Sequence, residues 1–346
     1  MLGARRNLGS GTTERRKTPA GEGRPRFARA GRQSPAITLT ALTTTALAAA
    51  APAAAFGEQG GAVAGAPPRP APEHSGHVEA NGVSYYYEIH GRGEPLLLLH
   101  GGLGSLDMFG PVLPALAAGR QVIAVDLHGH GRTALGDRPL SLMDMGDDLA
   151  AVLTELGYAQ ADVLGYSLGG GVAFRLAVQH PQKVRRLVLV SAAYARDGFY
   201  PDVLAQQAQM GAAAADAMKG TPMYQGYVAV APKPEDFPRL LDQMGKLLAT
   251  PYDWADDVKK LRGPVMLVYG DSDMYRPEHV IEFYKLLGGG LRDAGWMREN
   301  MSPNRLAILP GRTHYDIFFA PELVATVLPF LNGESRAADW ADQMRR

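Results

Sequence analysis

From about residue 77 onward the chain alternates short, unbroken apolar runs with longer amphipathic stretches. Val83–Ile89 (VSYYYEI) is β-branched and aromatic and predicts an antiparallel strand. Pro95–Leu99 (PLLLL) is apolar throughout, as a strand covered on both faces must be, and a helix is expected between it and Ala118. Gln121–Val125 reads as a second buried strand. Ser141 is placed to cap a helix running to Leu156, whose stripe is Met143, Met145, Leu149, Val152 and Leu153. A strand at Ala161–Leu164, a helix ending near His180 and a strand at Leu187–Val190 continue the rhythm. It breaks over 193–255, a block rich in Ala, Met and Tyr that predicts helices and loops. Strand Val265–Tyr269, helix Pro277–Leu287, strand Leu306–Leu309 and helix Pro321–Leu331 restore it. Strands alternating with helices imply a mostly parallel central sheet with helices on both faces. The core is then 77–192 and 256–333, the interrupting block 193–255 is an inserted helical cap, and 334–346 is a tail.

The first 76 residues do not share this texture. Residues 1–34 carry nine Lys and Arg against Glu14 and Glu22, and Ala36–Ala55 is built almost wholly from Ala, Thr and Leu, ending in Ala53-Ala54-Ala55. A basic region, an apolar region and a small-residue site form the pattern of an export signal over 1–55, which predicts a periplasmic or secreted protein. A membrane anchor is the rival reading, weakened by five threonines and Pro52. An Ala-rich leader or a start assigned too early, leaving a cytoplasmic protein, is the other. Residues 56–76, rich in Gly, Ala and Pro, read as a flexible linker.

Composition narrows the function classes. The chain has 35 basic and 35 acidic residues; without the nine and two of the leader, 26 and 33 remain. A body about seven charges negative argues against binding nucleic acid as its main task. The absence of cysteine removes a disulfide framework, a thiol nucleophile and a thiolate metal site. No His/Cys cluster suggests a metal, and Gly169-Gly170-Gly171 fits tight helix packing better than a phosphate cradle, so neither metal nor cofactor is expected.

The chemistry is carried by Gly165-Tyr166-Ser167-Leu168-Gly169, between a buried strand and a helix. A sharp strand-to-helix turn lifts the central serine oxygen clear of the sheet edge, and the glycines allow close chain approach. The following helix aims unpaired N–H groups at that oxygen. A serine hydroxyl near neutral pH needs a neighbouring base, and the base needs a fixed tautomer. Two later segments supply such groups at carboxyl ends of predicted strands: Gly270-Asp271-Ser272-Asp273 and Gly311-Arg312-Thr313-His314.

These pieces, with His100-Gly101-Gly102 and Asp126-Leu127-His128-Gly129-His130-Gly131-Arg132-Thr133, make residues 78–332 resemble the α/β-hydrolase superfamily. The likeness is to its small bacterial serine esterase, lactonase and cofactor-free perhydrolase branch. The resemblance implies Ser167 as nucleophile, His314 as base and Asp273 as the acid, with Asp271 and then Asp197 as rivals. It gives His128 and His130 to the pocket wall and structural roles to His90 and His100; His180 reads as a helix end. Oxyanion donors would be the N–H of Leu168 and of Gly102, with Leu103 the runner-up, each stabilising the transition state by roughly 3–4 kcal/mol. Met210, Met223, Tyr224, Tyr227, Trp254 and Tyr166 are the expected pocket residues, adaptable apolar groups suited to an acyl chain or alcohol.

The expected activity is hydrolysis of a small to medium apolar carboxylic ester or lactone through an acyl-enzyme. Carbon–carbon bond hydrolysis and perhydrolysis use the same three groups and stand as alternatives, with a non-catalytic receptor on this fold behind them. Epoxide hydrolases and dehalogenases put a carboxylate where Ser167 stands and are disfavoured. The expected partner is a small molecule, with no stable membrane insertion. Gly288–Asn304, long for a helix-to-strand link, is expected opposite the catalytic face as a candidate homodimer contact.

Overall fold

A computed structural model describes residues 71–334 apart from Met297. The expected export signal over 1–55, the expected linker up to residue 70 and the tail from residue 335 lie outside the described residues. Strands β1 (His74–Ala80), β2 (Val83–His90), β3 (Glu94–Leu99), β4 (Arg120–Val125), β5 (Ala161–Tyr166), β6 (Val184–Val190), β7 (Val265–Ser272) and β8 (Arg305–Thr313) form one sheet. Their order is β1-β2-β4-β3-β5-β6-β7-β8. The β1–β2 and β2–β4 pairs are antiparallel, and every pair from β4 to β8 is parallel.

The period-2 geometry of β3 explains how both faces are covered. Leu97 and Leu99 enter one core and Leu96 and Leu98 the other, all four buried. Full burial of each stabilises the fold by about 1.5–3 kcal/mol. Helices α1 (Leu113–Ala117) and α10 (Pro321–Leu331) pack on the Leu96 side. Helices α2 (Leu142–Glu155), α3 (Leu168–Gln179) and α9 (Pro277–Leu286) pack on the Leu97 side. Ser141 caps α2 by accepting from the Asp144 N–H at 3.2 Å.

The block 193–255 holds α4 (Pro201–Gln207), α5 (Ala215–Met218), α6 (Pro222–Val230) and α7 (Phe237–Ala249), followed by α8 (Ala255–Val258). Its apolar residues form a third core. Phe237, Leu240, Leu241, Met244 and Tyr227 close on Leu103, Leu135 and Leu140 from the loops after β3 and β4. Among the described residues no helix is long and apolar enough to cross a membrane.

Two local expectations need correcting. β1 begins at His74, inside the stretch read as linker; it is an exposed edge strand (HSGHVEA) with no apolar run to announce it. The helix expected up to Ala118 is a short 3-10 turn, Leu106–Phe109, followed by the five-residue α1. Pro111 and Pro114 fall between and within them, and a proline offers no N–H to continue a helical ladder.

Buried polar groups pin both ends of the sheet. At the amino ends Asp162 on β5 accepts from Arg120 Nη1 at 2.7 Å and from Arg185 Nε at 2.8 Å. Arg120 also reaches Asn332 past the end of α10, at 3.0 Å. At the carboxyl ends His100 donates from Nδ1 to the Gly101 carbonyl at 2.7 Å and accepts from the Leu127 N–H at Nε2, 2.9 Å. Asp126 accepts from the N–H groups of Leu106 and Arg132 at 2.7 and 2.8 Å.

Two predictions follow from these pins. Asp162→Ala strands Arg120, only 2% exposed, without its carboxylate. Removing one partner of a buried pair costs about 3–5 kcal/mol, so the variant should show a large drop in urea midpoint; a midpoint equal to the parent's would contradict this role. The second concerns pH. Burial pushes His100 down to about 4 and His130 to about 3, the latter also repelled by His100, and His279 to about 4. Free imidazoles take up protons near 6.5, so between about 4 and 6.5 the unfolded chain binds more protons, and stability falls as pH drops. Asp126, raised to about 6 by burial against the bonds from Leu106 and Arg132, acts in the opposite sense between 6 and 4. Three imidazoles outweigh one carboxyl, so the urea midpoint should decline from pH 6.5 to 4. A midpoint that climbs over that range would refute the assignment.

Candidate active site

Ser167 stands between β5 and α3 with φ 51° and ψ −115°, a left-handed backbone that costs a non-glycine residue of order 1–3 kcal/mol. The surroundings enforce it. A Cβ on Gly165 would lie 2.2 Å from the Gly169 carbonyl oxygen, and one on Gly169 would lie 2.4 Å from that of Leu99. The Ser167 N–H is held by the Val190 carbonyl and that of Gly169 by the His100 carbonyl, each at 3.0 Å. The serine is left partly exposed at the carboxyl edge of the sheet.

His314 follows β8 and is buried. Its Nε2 lies 3.0 Å from Ser167 Oγ, and its Nδ1 lies 3.0 Å from Asp273 Oδ1. A carboxylate can only accept, so Nδ1 carries the proton and Nε2 is free to take one from the serine. The imidazole is seated from below: Tyr166 donates from its hydroxyl to the His314 carbonyl at 2.6 Å, with the two rings 5.2 Å apart. Asp316 holds the same turn by accepting from the Thr313 N–H and hydroxyl, both at 2.7 Å.

Asp273 follows β7 with its side chain almost wholly buried. Burial would raise its pKa, but hydrogen bonds from His314, Ser191 and the Met274 N–H, with the attraction of His314, outweigh burial and hold it below the usual carboxylate value. The rivals point elsewhere. Asp271 is exposed and accepts from the Gly311 N–H at 3.0 Å, tying the β7 and β8 loops together. Asp197 is exposed, and its main-chain carbonyl takes the Arg276 guanidinium. Three other histidines are engaged elsewhere: His128 donates to the Leu135 carbonyl, His90 to Glu88 and His180 to Asp147.

The loop after β3 turns beside the serine. Gly104 N–H closes on the Gly101 carbonyl at 3.2 Å, and Leu103 adopts φ 57°. Among the described residues the N–H groups of Gly102, Leu103 and Leu168 find no acceptor. A Cβ built on Gly102 would meet Met244 at 2.8 Å and the Leu168 side chain at 3.8 Å, so this loop, the start of α3 and α7 converge.

The expected pocket residues divide. Met210, Met223, Tyr224 and Tyr227 gather with Leu103 and Leu168 in the third core, where Tyr224 and Tyr227 pack on Phe237 at 5.0 and 5.3 Å. Trp254 is not brought to that group. It stacks on Phe174 of α3 at 5.2 Å with Arg175 over its ring. Tyr166 belongs to the core under His314. Sequence reasoning missed Ser191, Met244 and Phe237. Met244 and Phe237 carry a signal in the strongly amphipathic spacing of 237–249, while a serine ending the apolar run of β6 carries none. A surface cavity of about 670 Å³ along α2 lies apart from all of this, and its Arg138, Asp148, Asp147 and His180 are already paired with one another.

Comparison with known proteins bears on the fold. Residues 94–291 match the family model described as alpha/beta hydrolase fold. Over 210 residues, 54% of this chain and 77% of the relative, the chain is 34% identical to a pimeloyl-[acyl-carrier protein] methyl ester esterase of Neisseria meningitidis. It is 38% identical over 133 residues to a 2-hydroxymuconate semialdehyde hydrolase of Pseudomonas sp. strain CF600, covering 36% of this chain and 46% of that one. The chain spans less than half the length of the first three curated relatives it matches. Among solved structures, carboxylesterase CesB of Bacillus subtilis superposes with a TM-score of 0.60 at 22% identity, over 77% of this chain and 93% of that one, a likeness of fold. The chain belongs to the alpha/beta hydrolase fold family.

Proposed function

We propose that this chain is a serine hydrolase cleaving a small to medium apolar carboxylic ester or lactone through an acyl-enzyme. The observation that carries the reading is the hydrogen-bonded chain Ser167–His314–Asp273, 3.0 Å at each step. Ser167 Oγ attacks the ester carbonyl carbon while its proton passes to His314 Nε2, and the carbonyl electron pair moves onto oxygen. The N–H groups of Leu168 and of Gly102 or Leu103, which lack acceptors of their own, are the donors available to that oxyanion. Collapse breaks the carbon–oxygen bond, and the alkoxide leaves with the proton from His314. Water then adds to the acyl-enzyme, giving its proton to His314, which returns it to Ser167 as the acid departs. Asp273 stays ionised throughout and holds the imidazole in one tautomer.

The helical block 193–255 is read as a cap over this centre, with Met210, Met223, Tyr224, Tyr227, Phe237 and Met244 as an uncharged acyl pocket. The same three groups could hydrolyse a carbon–carbon bond, and the likeness to a 2-hydroxymuconate semialdehyde hydrolase favours that as the second reading. A muconate carries a carboxylate, however, and the residues read here as the acyl pocket, Met210, Met223, Tyr224, Tyr227, Phe237 and Met244, are all uncharged. An unpaired carboxylate buried there would be costly.

Ser167→Ala should lower turnover of p-nitrophenyl esters by about 10³-fold or more, with a parent optimum at short to medium acyl chains. Equal activity in parent and variant sinks the nucleophile assignment. Between a neutral ester and the same ester bearing a terminal carboxylate, kcat/KM should favour the neutral one by at least about a hundredfold, the scale of an unpaired buried charge. A preference for the charged ester would transfer support to the carbon–carbon hydrolase reading.

A further inference from the structure

Ser191 directly follows β6, the strand lying between the one that leads to Ser167 and the one that leads to Asp273. It is fully buried, and its backbone turns into the left-handed region at φ 48°. Three hydrogen bonds leave this corner. The Val190 carbonyl accepts from the Ser167 N–H at 3.0 Å, the Ser191 N–H donates to the Val268 carbonyl at 2.8 Å, and Ser191 Oγ donates to Asp273 Oδ2 at 2.5 Å. The last is short, as hydroxyl-to-carboxylate bonds are, and it is made to the oxygen that His314 does not use.

A carboxylate turns easily about its Cβ–Cγ bond, which is broad and two-fold in its preferences. Asp273 Oδ1 faces His314 Nδ1 at 3.0 Å and the Met274 N–H at 2.8 Å. Oδ2 has only the Gly270 N–H, at 3.2 Å, besides the serine. Without the Ser191 hydroxyl, that weaker bond alone would resist rotation of Oδ2, and the plane that aims Oδ1 at the imidazole would loosen. The titratable groups facing Asp273 are His314 and the phenols of Tyr166, Tyr269, Tyr275 and Tyr315. Each phenol is raised, first by burial and then by Asp273 among other charges, so these rings stay neutral and leave His314 as the partner that exchanges a proton.

We propose that Ser191 is a positioning residue: its hydroxyl locks the Asp273 carboxylate in the rotamer that orients His314, an inference that rests on the Ser167–His314–Asp273 reading. The test compares Ser191→Ala, Ser191→Gly and Ser167→Ala in the purified chain on one p-nitrophenyl ester across pH. Glycine accepts the left-handed backbone without strain, so Ser191→Gly removes the hydroxyl with no added backbone cost. Both Ser191 variants should lose about tenfold to a hundredfold in kcat, the scale of a sub-ångström to ångström misplacement, with KM within about twofold. The acid limb of their kcat/KM profile should also move, because Ser191 Oγ is a donor to the carboxylate that faces His314 Nδ1. Parent-like kcat and pH profile in Ser191→Gly, with Ser167→Ala inactive, overturn the positioning role. So does a loss confined to KM with an unmoved acid limb, which marks packing alone. Full activity in Ser167→Ala removes the underlying triad reading instead.

Discussion

The close approach of β5, α3 and β3 at the elbow is the constraint on which the candidate site depends. With no room for a Cβ at Gly165 or Gly169, α3 starts against the end of β3, and its first turn lies beside the Gly101–Gly104 loop. That contact forces Ser167 into its left-handed conformation and presents Oγ at the sheet edge. It also brings the Leu168 N–H to the same side as Gly102 and Leu103. A single methyl at either glycine would push α3 outward, separating the serine from the imidazole and from the available N–H donors together. The strain at Ser167, of order 1–3 kcal/mol, is sustained because main-chain hydrogen bonds from β3 and β6 hold both sides of the turn.

The parallel sheet then does the rest by register. β5, β7 and β8 each end at the same edge, so groups more than a hundred residues apart in the chain arrive within hydrogen-bond distance. Each arriving side chain is fixed by a second buried group. Ser191 and two N–H groups hold Asp273, Tyr166 and the Asp316 turn hold His314, and Asp126 braces the loop beside Gly102 through the Leu106 N–H. A buried carboxylate is tolerable only when donors surround it, and Asp273, with four, is pulled below its usual pKa despite burial. Asp126, at similar burial, is raised, because there burial outweighs the bonds from Leu106 and Arg132 and the attraction of the Arg132 guanidinium.

Much of the fold was readable because its strongest signals are local. The apolar runs at 95–99, 161–164 and 265–269 are buried parallel strands, and the elbow glycines announce a steric need that no other residue meets. What could not be read depends on three-dimensional neighbours. β1 is an edge strand paired on one side only, so its sequence needs no apolar alternation. In the sequence, only resemblance favours Asp273 over Asp271, since both follow the same predicted strand. They separate only because the β7–β8 register shifts between Gly270 and Ser272, leaving Asp271 exposed and bonded to Gly311 while Asp273 turns inward. The stacking of Trp254 on Phe174 of α3 is a contact that sequence spacing cannot reveal.

The third core couples substrate preference to catalysis on the proposed reading. Leu103 and Leu168, which flank the available N–H donors, are packed into the same cluster as Phe237, Leu240, Leu241 and Met244 of α7. Met244 reaches Gly102 so closely that a Cβ there would collide with it. The residues that would line an acyl pocket therefore also press on the loop that would stabilise the oxyanion. Enlarging the pocket by trimming Met244 or Leu240 removes support from that loop as it makes room for a longer chain. Acyl-chain range and rate should consequently change together in this protein, through packing, with no change to Ser167, His314 or Asp273.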